Sequence, residues 1–330
     1  MPTTVLVTGG AGFIGSRLVR ALLRRHYVVR VIDNFLFAQD SLRGLGPSVT
    51  VLEGDIRDAD VISYAVRGAD AVVHLAAIAN DPQVETPSEL MMEVNVYAVE
   101  RLVAVAKRAG AQRFVNASSA SVYGLCGPEP AREGDSKQPR TPYARCKVES
   151  ESFVASANSA GFSTVSLRLA TLCGLSERPR LDLTVNAATF EAMTTGALTV
   201  KGAGSSRPQL HLGDCVRALT MLLEAPEATV GGQAYNLARV NLTGQQLAQV
   251  VCSTLGGSID LTLSETSSNE SFAISSARIR EALGFRPRLP IPTAVRAVAD
   301  SLRMGRIPDP ENPRYRNALW MRASREALEA

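Results

Sequence analysis

The chain has 330 residues, of which 45% are hydrophobic and 20% charged, with a net charge of +3. That is the balance of an ordinary globular chain with one large domain or a domain plus a lobe, and the charge is too small to mark a nucleic-acid partner. No apolar run approaches the ~18 residues of a membrane span, no leader precedes the first strand, and the five cysteines lack close Cys-x-x-Cys pairing, so a reducing, cytoplasmic setting without membrane contact, disulfides or metal is expected.

In chain order, the first half alternates β-branched runs with helical stretches. Val5–Val7 predicts a strand and Ile14–Arg25 a helix. Val28–Ile32 predicts the next strand, ending in Asp33, and Val49–Leu52 a third, followed by a helix near Ala59–Val66. Ala71–Leu75 is a fourth strand; Leu90–Arg108 carries apolar residues at helical spacing and stops at Gly110. Arg113–Val115 leads into Ser118-Ser119 as a fifth strand. Pro142 suits the first turn of a helix running to about Ser159, and Thr164–Leu169 is a sixth strand. The alternation predicts an α/β fold, a Rossmann doubly wound parallel sheet with helices on both faces. The continuously apolar strands predict burial on both sides.

After residue 174 the rhythm changes. Proline, arginine and glycine cluster at Arg178-Pro179-Arg180 and Gly202–Pro208, and a helix opens at Thr243 with Gln246 three residues on, a capping-box pattern. The expected division is a dinucleotide-binding domain at 1–174 and a smaller C-terminal lobe at 175–330, interleaved with late returns to the sheet. Pro308 to Ala330 reads as a loop and a terminal helix.

Two short segments carry chemistry. Gly9, Gly12 and Gly15 are spaced G-x-x-G-x-x-G between a strand and a helix, with Phe13 and Ile14 inside the turn. Such a turn lets backbone approach a pyrophosphate, and the helix N-terminus offers free N–H groups to it. Asp33, with Asn34 beside it, closes the second strand 18 residues past Gly15. A carboxylate there accepts ribose hydroxyls and repels a 2′-phosphate, so NAD is expected over NADP. Asp55 and Ile56 follow the third strand and are placed to hold the adenine edge. The second segment holds Tyr143 and Lys147, four apart and so on one helix face. A nearby ammonium favours phenolate, and such a tyrosine can take a proton from a hydroxyl as hydride leaves the same carbon. Ser119 would hydrogen-bond the reacting oxygen. His74 and His211 are expected to be structural, and Asn95 could reach backbone near the cofactor.

These motifs together resemble the extended short-chain dehydrogenase/reductase family, in its nucleotide-sugar epimerase/dehydratase group. The markers are the Thr8–Ser16 turn, Gly54-Asp55-Ile56-Arg57-Asp58, His74-Leu75-Ala76-Ala77, Ser118 to Gly124, Tyr143-x-x-x-Lys147, and Arg207 through Asp214. The resemblance implies NAD beneath a substrate lobe, a nucleoside-diphosphate sugar as substrate, and a homodimer. It implies that Ser119 and Tyr143 act at the sugar carbinol and that Lys147 binds the nicotinamide ribose and tunes Tyr143. Leu75, Ala76 and Ala77 would line the dinucleotide; Asn186 and Arg207 would contact the substrate's diphosphate or nucleoside.

Dehydratases of this kind carry Asp-Glu directly after the catalytic Ser/Thr, whereas this chain has Ala120-Ser121. Neither supplies a carboxyl group, and small residues at Ala120 and Ser121 leave room for a ketone to turn over. A redox-neutral 4-epimerase is therefore expected, with net nucleotide-sugar reduction or oxidation as the alternative. Thr171 replaces a usual sugar-contacting Asn, and Ser268-Asn269-Glu270-Ser271-Phe272 lacks a common diphosphate-binding Arg. That loss is worth about 1.5–3 kcal/mol unless replaced; Arg178 or Arg180 is placed to compensate.

Overall fold

The structure, a computed structural model, describes residues 3–37, 40–79, 88–125, 127, 129–264 and 271–324. Cys126 and residues 268–270 of the segment lacking the arginine lie outside these.

The chain opens with β1 (Thr4–Thr8), α1 (Gly15–Arg24), β2 (Val28–Asp33), β3 (Val49–Glu53), α2 (Ala59–Val66) and β4 (Ala71–His74). It continues through α3 (Ser88–Met92), α4 (Ala98–Arg108), β5 (Arg113–Ser119), α5 (Pro142–Ala157), β6 (Ser163–Leu169) and β7 (Thr171–Cys173). Next come α6 (Thr184–Thr195), β8 (Ala197–Lys201), β9 (Ser206–His211), α7 (Leu212–Glu224), α8 (Glu227–Val230) and β10 (Gln233–Leu237). The last elements are β11 (Val240–Thr243), α9 (Gly244–Leu255), β12 (Asp260–Ser264), α10 (Ala277–Leu283), α11 (Ile291–Arg303) and α12 (Asn317–Ala323).

Seven strands form one parallel sheet in the order β10-β6-β5-β4-β1-β2-β3. Of its inner strands, β4 and β6 are buried at every residue, because helices cover both faces. One face packs Val5, Val7 and Val73 against Leu18, Val19 and Leu22 of α1 and Leu219 and Leu222 of α7. The other packs Leu6, Val72 and Phe114 against Ile62 of α2 and Val99, Leu102 and Ala106 of α4. The seventh strand is β10, so residues 212–237 return to the first body. The lobe is built on a three-stranded sheet, β11-β9-β7, a parallel β12–β8 pair and a core of Leu198, Leu247, Val251, Ala294 and Val295. At α9 the capping box forms: Thr243 Oγ1 accepts from Gln246 N at 3.1 Å, and Gln246 Oε1 accepts from Thr243 N at 2.9 Å.

The helix expected across Leu90–Arg108 is not uniform. Between α3 and α4, Glu93–Tyr97 is π-helical. Such a wide turn re-aims the side chains on it. Asn95, buried there, accepts from Ile78 N at 2.9 Å and donates to Ile78 O at 3.0 Å. It thereby pins the strand-exit loop after β4. Among the described residues no helix is long and apolar enough to cross a membrane, and no His/Cys/Asp/Glu group could hold a metal ion.

Candidate active site

The cradle is shaped by close contact. Gly9 has φ +68°, and a Cβ on it would lie 2.7 Å from the Ala76 nitrogen. At Gly15 a Cβ would lie 2.2 Å from Gly9 O. The turn can thus lie flat against the loop leaving β4 while α1 abuts it, its first N–H groups toward the cleft. Asp33, at the end of β2, is fixed by Ala11 N to Oδ2 and Phe35 N to Oδ1, both 2.9 Å. Burial pushes its pKa up against the pull of those bonds. Burial also works against ionisation of Asp55, but the Arg57 guanidinium and backbone N–H outweigh it and hold the carboxyl below its usual range. Asn34 donates to Asp55 at 3.4 Å. Thr8 Oγ1 meets His74 Nδ1 at 2.8 Å, and burial drops His74 to about 3, a neutral packing histidine. His211 is likewise structural: Nδ1 accepts from Gly213 N at 3.0 Å and caps α7.

A cavity of about 120 Å³ is lined by Asp33, Asn34, Asp55, Ile56 and Ala76. A second, of about 440 Å³, is lined by Phe13, Ile14, Gly15, Ser119, Tyr143, Lys147 and Thr171. Gly9, Gly12, Phe37, Leu75 and Ala77 line both, so the two form one trough across the C-terminal ends of the strands, the usual ligand position in open α/β sheets. It has an acid at the ribose end, a glycine turn in the middle and a phenol and an ammonium at the far end. That donor set fits a dinucleotide.

At the far end, Ser119 closes β5, and Thr141 caps α5 by accepting from Ala144 N at 3.1 Å. The cap, with Pro142 in the first turn, starts the helix where Tyr143 and Lys147 share a face. Lys147 is buried; its Nζ donates to Ala117 O at 2.9 Å and lies 5.6 Å from the Tyr143 ring centroid. Burial lowers Lys147 to about 8. Tyr143 differs from the sequence expectation. Burial pushes the phenol up to about 12; the charges that oppose this are led by Arg180, with the Ser119 hydroxyl next. Lys147, whose Nζ is bonded to Ala117 O, is not among them. Ser119 Oγ accepts from Ser121 N at 3.2 Å and from Ser121 Oγ at 2.8 Å. Ser121 therefore orients Ser119 rather than lining the trough.

Behind the helix, Glu151 is buried and paired with Arg168 through Oε1–Nε at 2.9 Å and Oε2–Nη2 at 2.8 Å. Ser118 donates to Glu151 at 2.5 Å, and Arg168 donates to Tyr123 Oη at 2.6 Å. This network locks α5 to β5 and β6.

Of the expected substrate contacts, Thr171 and Arg178 line the trough. Arg207 stands on β9 over the Phe272 ring at 4.9 Å, outside the trough's lining. Asn186 is corrected: it is fully buried, accepts from Gly174 N at 2.9 Å and donates to Gly174 O and Arg180 O at 2.8 Å each. Its amide is saturated by backbone, so it shapes the 174–183 loop and does not reach a ligand. Sequence reasoning missed Phe37, Asp182 and Asn317 on the trough wall. Asp182 had a signal in its spacing to Arg180, which it pairs bidentately at 2.9 and 2.8 Å; Asn317 had none.

A glycine cradle with an acid at one end, continuous with a Ser/Tyr/Lys set, fits a Rossmann-type dinucleotide-binding protein. Residues 5–238 match the family model described as NAD dependent epimerase/dehydratase family. The chain is 30% identical over 303 residues to a dTDP-glucose 4,6-dehydratase of Streptomyces niveus, covering 86% of this chain and 88% of that one. It is 35% identical over 247 residues to a 3 beta-hydroxysteroid dehydrogenase/Delta 5-->4-isomerase of Mycobacterium tuberculosis, covering 70% of this chain but only 63% of that one. Among solved structures, the NAD complex of a Thermus thermophilus UDP-glucose 4-epimerase superposes with a TM-score of 0.78 at 26% identity, covering 91% of this chain and 99% of that one. The chain belongs to the NAD-dependent epimerase/dehydratase family, and it is an enzyme whose cofactor is NAD.

Proposed function

We propose that the chain is a nucleotide-sugar 4-epimerase. One observation carries the reading: the only carboxylate among the described residues lining the large cavity is Asp182, and it is engaged by Arg180 and by Asn317 N. Among the described residues no free carboxyl stands where a dehydratase needs an acid for a leaving hydroxyl. Ala120 is buried and Ser121 is bonded to Ser119. When bound, NAD supplies reversible hydride acceptance. Ser119 and Tyr143 hold the sugar C4 oxygen, and Tyr143, entering as the phenolate that Arg180 and the Ser119 hydroxyl favour against burial, takes its proton as the ketone forms. Lys147, buried beside Tyr143 and donating to Ala117 O, would hold the nicotinamide ribose. Tyr143 returns the proton once the ketone has turned in the pocket and been reduced on its other face. Thr171 contacts the sugar, and Arg207 is assigned to the part of the nucleotide that extends beyond the trough's lining. The reading also carries a homodimer paired through α4 and α5, next to which Tyr97 stands exposed.

A second reading, net oxidation or reduction of an alcohol, is favoured by the similarity to the mycobacterial hydroxysteroid dehydrogenase. Incubating pure enzyme with UDP-, GDP-, dTDP- and CDP-hexoses, without added cofactor, separates the two. C4 epimers that interconvert with no net cofactor reduction support the epimerase. Reduced cofactor accumulating in step with product contradicts it and supports the second reading.

A further inference from the structure

We propose that Arg178 and the C-terminal segment around Asn317 form a diphosphate clamp over the cofactor end of the trough. Arg178 is only 4% exposed, yet no carboxylate among the described residues pairs with it. The nearby acids are engaged elsewhere. Glu177 binds Arg17 and Arg20 of α1 at 3.5 and 3.3 Å. Asp182 binds Arg180, and Asp33 is held by backbone N–H groups.

Among the described residues the guanidinium is bonded through Nη2 alone, which donates to Asn317 Oδ1 at 2.5 Å and to Arg314 O at 3.3 Å. Nε is buried and has no hydrogen-bond partner among the described residues. The group stacks on Phe37 at 4.9 Å, and both residues line the same cavity as Gly12, Phe13 and Ile14. A buried guanidinium without a counter-ion is costly unless an anion completes it. Its planar fork suits a diphosphate. Burial first, then repulsion from Arg180, pushes its pKa down to about 9 against the pull of Asp182 and Asp33, neither of which bonds it.

Two sources could supply the diphosphate, the cofactor or a nucleotide sugar. Phe37 favours the cofactor, because it also lines the small cavity that holds Asp33 and Asn34. The segment fixing Arg178 is anchored on the same side. Asn317 N donates to Asp182 at 2.9 Å and Asn317 Nδ2 to Ala79 O at 3.3 Å. Trp320 Nε1 donates to Leu36 O, and Met321 packs with Ile78, Met91 and Val96. The tail therefore spans from the ribose-side loop to the 174–183 loop and sets the fork over the glycine turn. This inference requires the dinucleotide site and not epimerisation, so it can fail while the proposed reaction stands.

The test measures affinity of the full chain for NAD, ADP-ribose, adenosine and UDP. The readouts are thermal shift and emission from Trp320, the single tryptophan. Arg178→Met is expected to weaken NAD and ADP-ribose by about 10- to 100-fold, to leave adenosine and UDP unchanged, and not to lower the ligand-free melting temperature. Asn317→Asp supplies an internal counter-ion; it is expected to raise the ligand-free melting temperature and weaken NAD. Unchanged NAD affinity in both variants overturns the clamp. So does weakened UDP with intact NAD, which assigns the fork to the substrate. A fall in ligand-free stability with intact NAD affinity also overturns it, since it makes Arg178 structural.

Discussion

Two arginines of this chain are buried almost equally, Arg168 at 3% and Arg178 at 4% exposure, in opposite surroundings. Behind α5, Arg168 meets a bidentate carboxylate, a tyrosine hydroxyl and Glu133 O. Burial works against its charge, yet the Glu151 bonds prevail and raise its pKa. Under the C-terminal segment, Arg178 has one amide and one carbonyl and an orphaned Nε. The first region is completed by the chain itself and acts as framework. The second is left incomplete at the trough wall, where a ligand can complete it. The distinction extends along the site: Asn95 and Asn186 are bonded to backbone, while Tyr143, Lys147 and Thr171 line open space.

If that division is right, framework variants lose stability and trough variants lose function. Tyr143→Phe should cut turnover by about 100- to 10,000-fold with NAD affinity and melting temperature retained; steady-state kinetics beside a thermal melt check this. Loss of folding instead would place Tyr143 in the framework. Arg168→Met should destabilise by about 3–5 kcal/mol, because it leaves Glu151 buried, with Lys137 at 2.9 Å limiting the damage. Urea unfolding reads the difference. Asn95→Ala should cost about 1–3 kcal/mol by stranding the Ile78 backbone groups, measured in the same way.

The smallest effect is one of pH. His74, held by burial near pKa 3 against 6.5 when free, stays neutral in the fold. Between those values the unfolded chain binds the extra proton. The stability His74 contributes is therefore full above 6.5 and is lost as pH falls toward 3. The slope is about 1.4 kcal/mol per pH unit. Urea midpoints between about pH 7 and pH 5 should fall on acidification and flatten in His74→Phe. The depressed carboxyl of Glu151 acts lower, below its ordinary 4.5, and does not mask this window. An identical slope in the variant would assign the loss to other groups.

Much of the framework was legible because it is local. Strand endings at Asp33 and Ser119, the proline start of α5 and the capping box of α9 each depend on residues a few positions apart. The Tyr143/Lys147 pairing was legible for the same reason; its electrostatics were not. The cation with the largest effect on Tyr143 is Arg180, on a loop remote in sequence, and burial outweighs it. The π-turn around Asn95 hides within an unbroken helical period. Asn186 matched a family pattern, but its amide faces its own loop, which spacing cannot disclose. Nor could any local signal join Asn317 to Arg178, 139 positions away.

The most direct measurement uses nucleotide hexoses deuterated at C4, incubated with the enzyme in ordinary water. Return of the same hydride to the opposite face predicts C4-epimeric product that keeps its deuterium at C4, with no net reduced cofactor. Deuterium transferred to released cofactor, or a product lacking the C6 hydroxyl, would contradict the account.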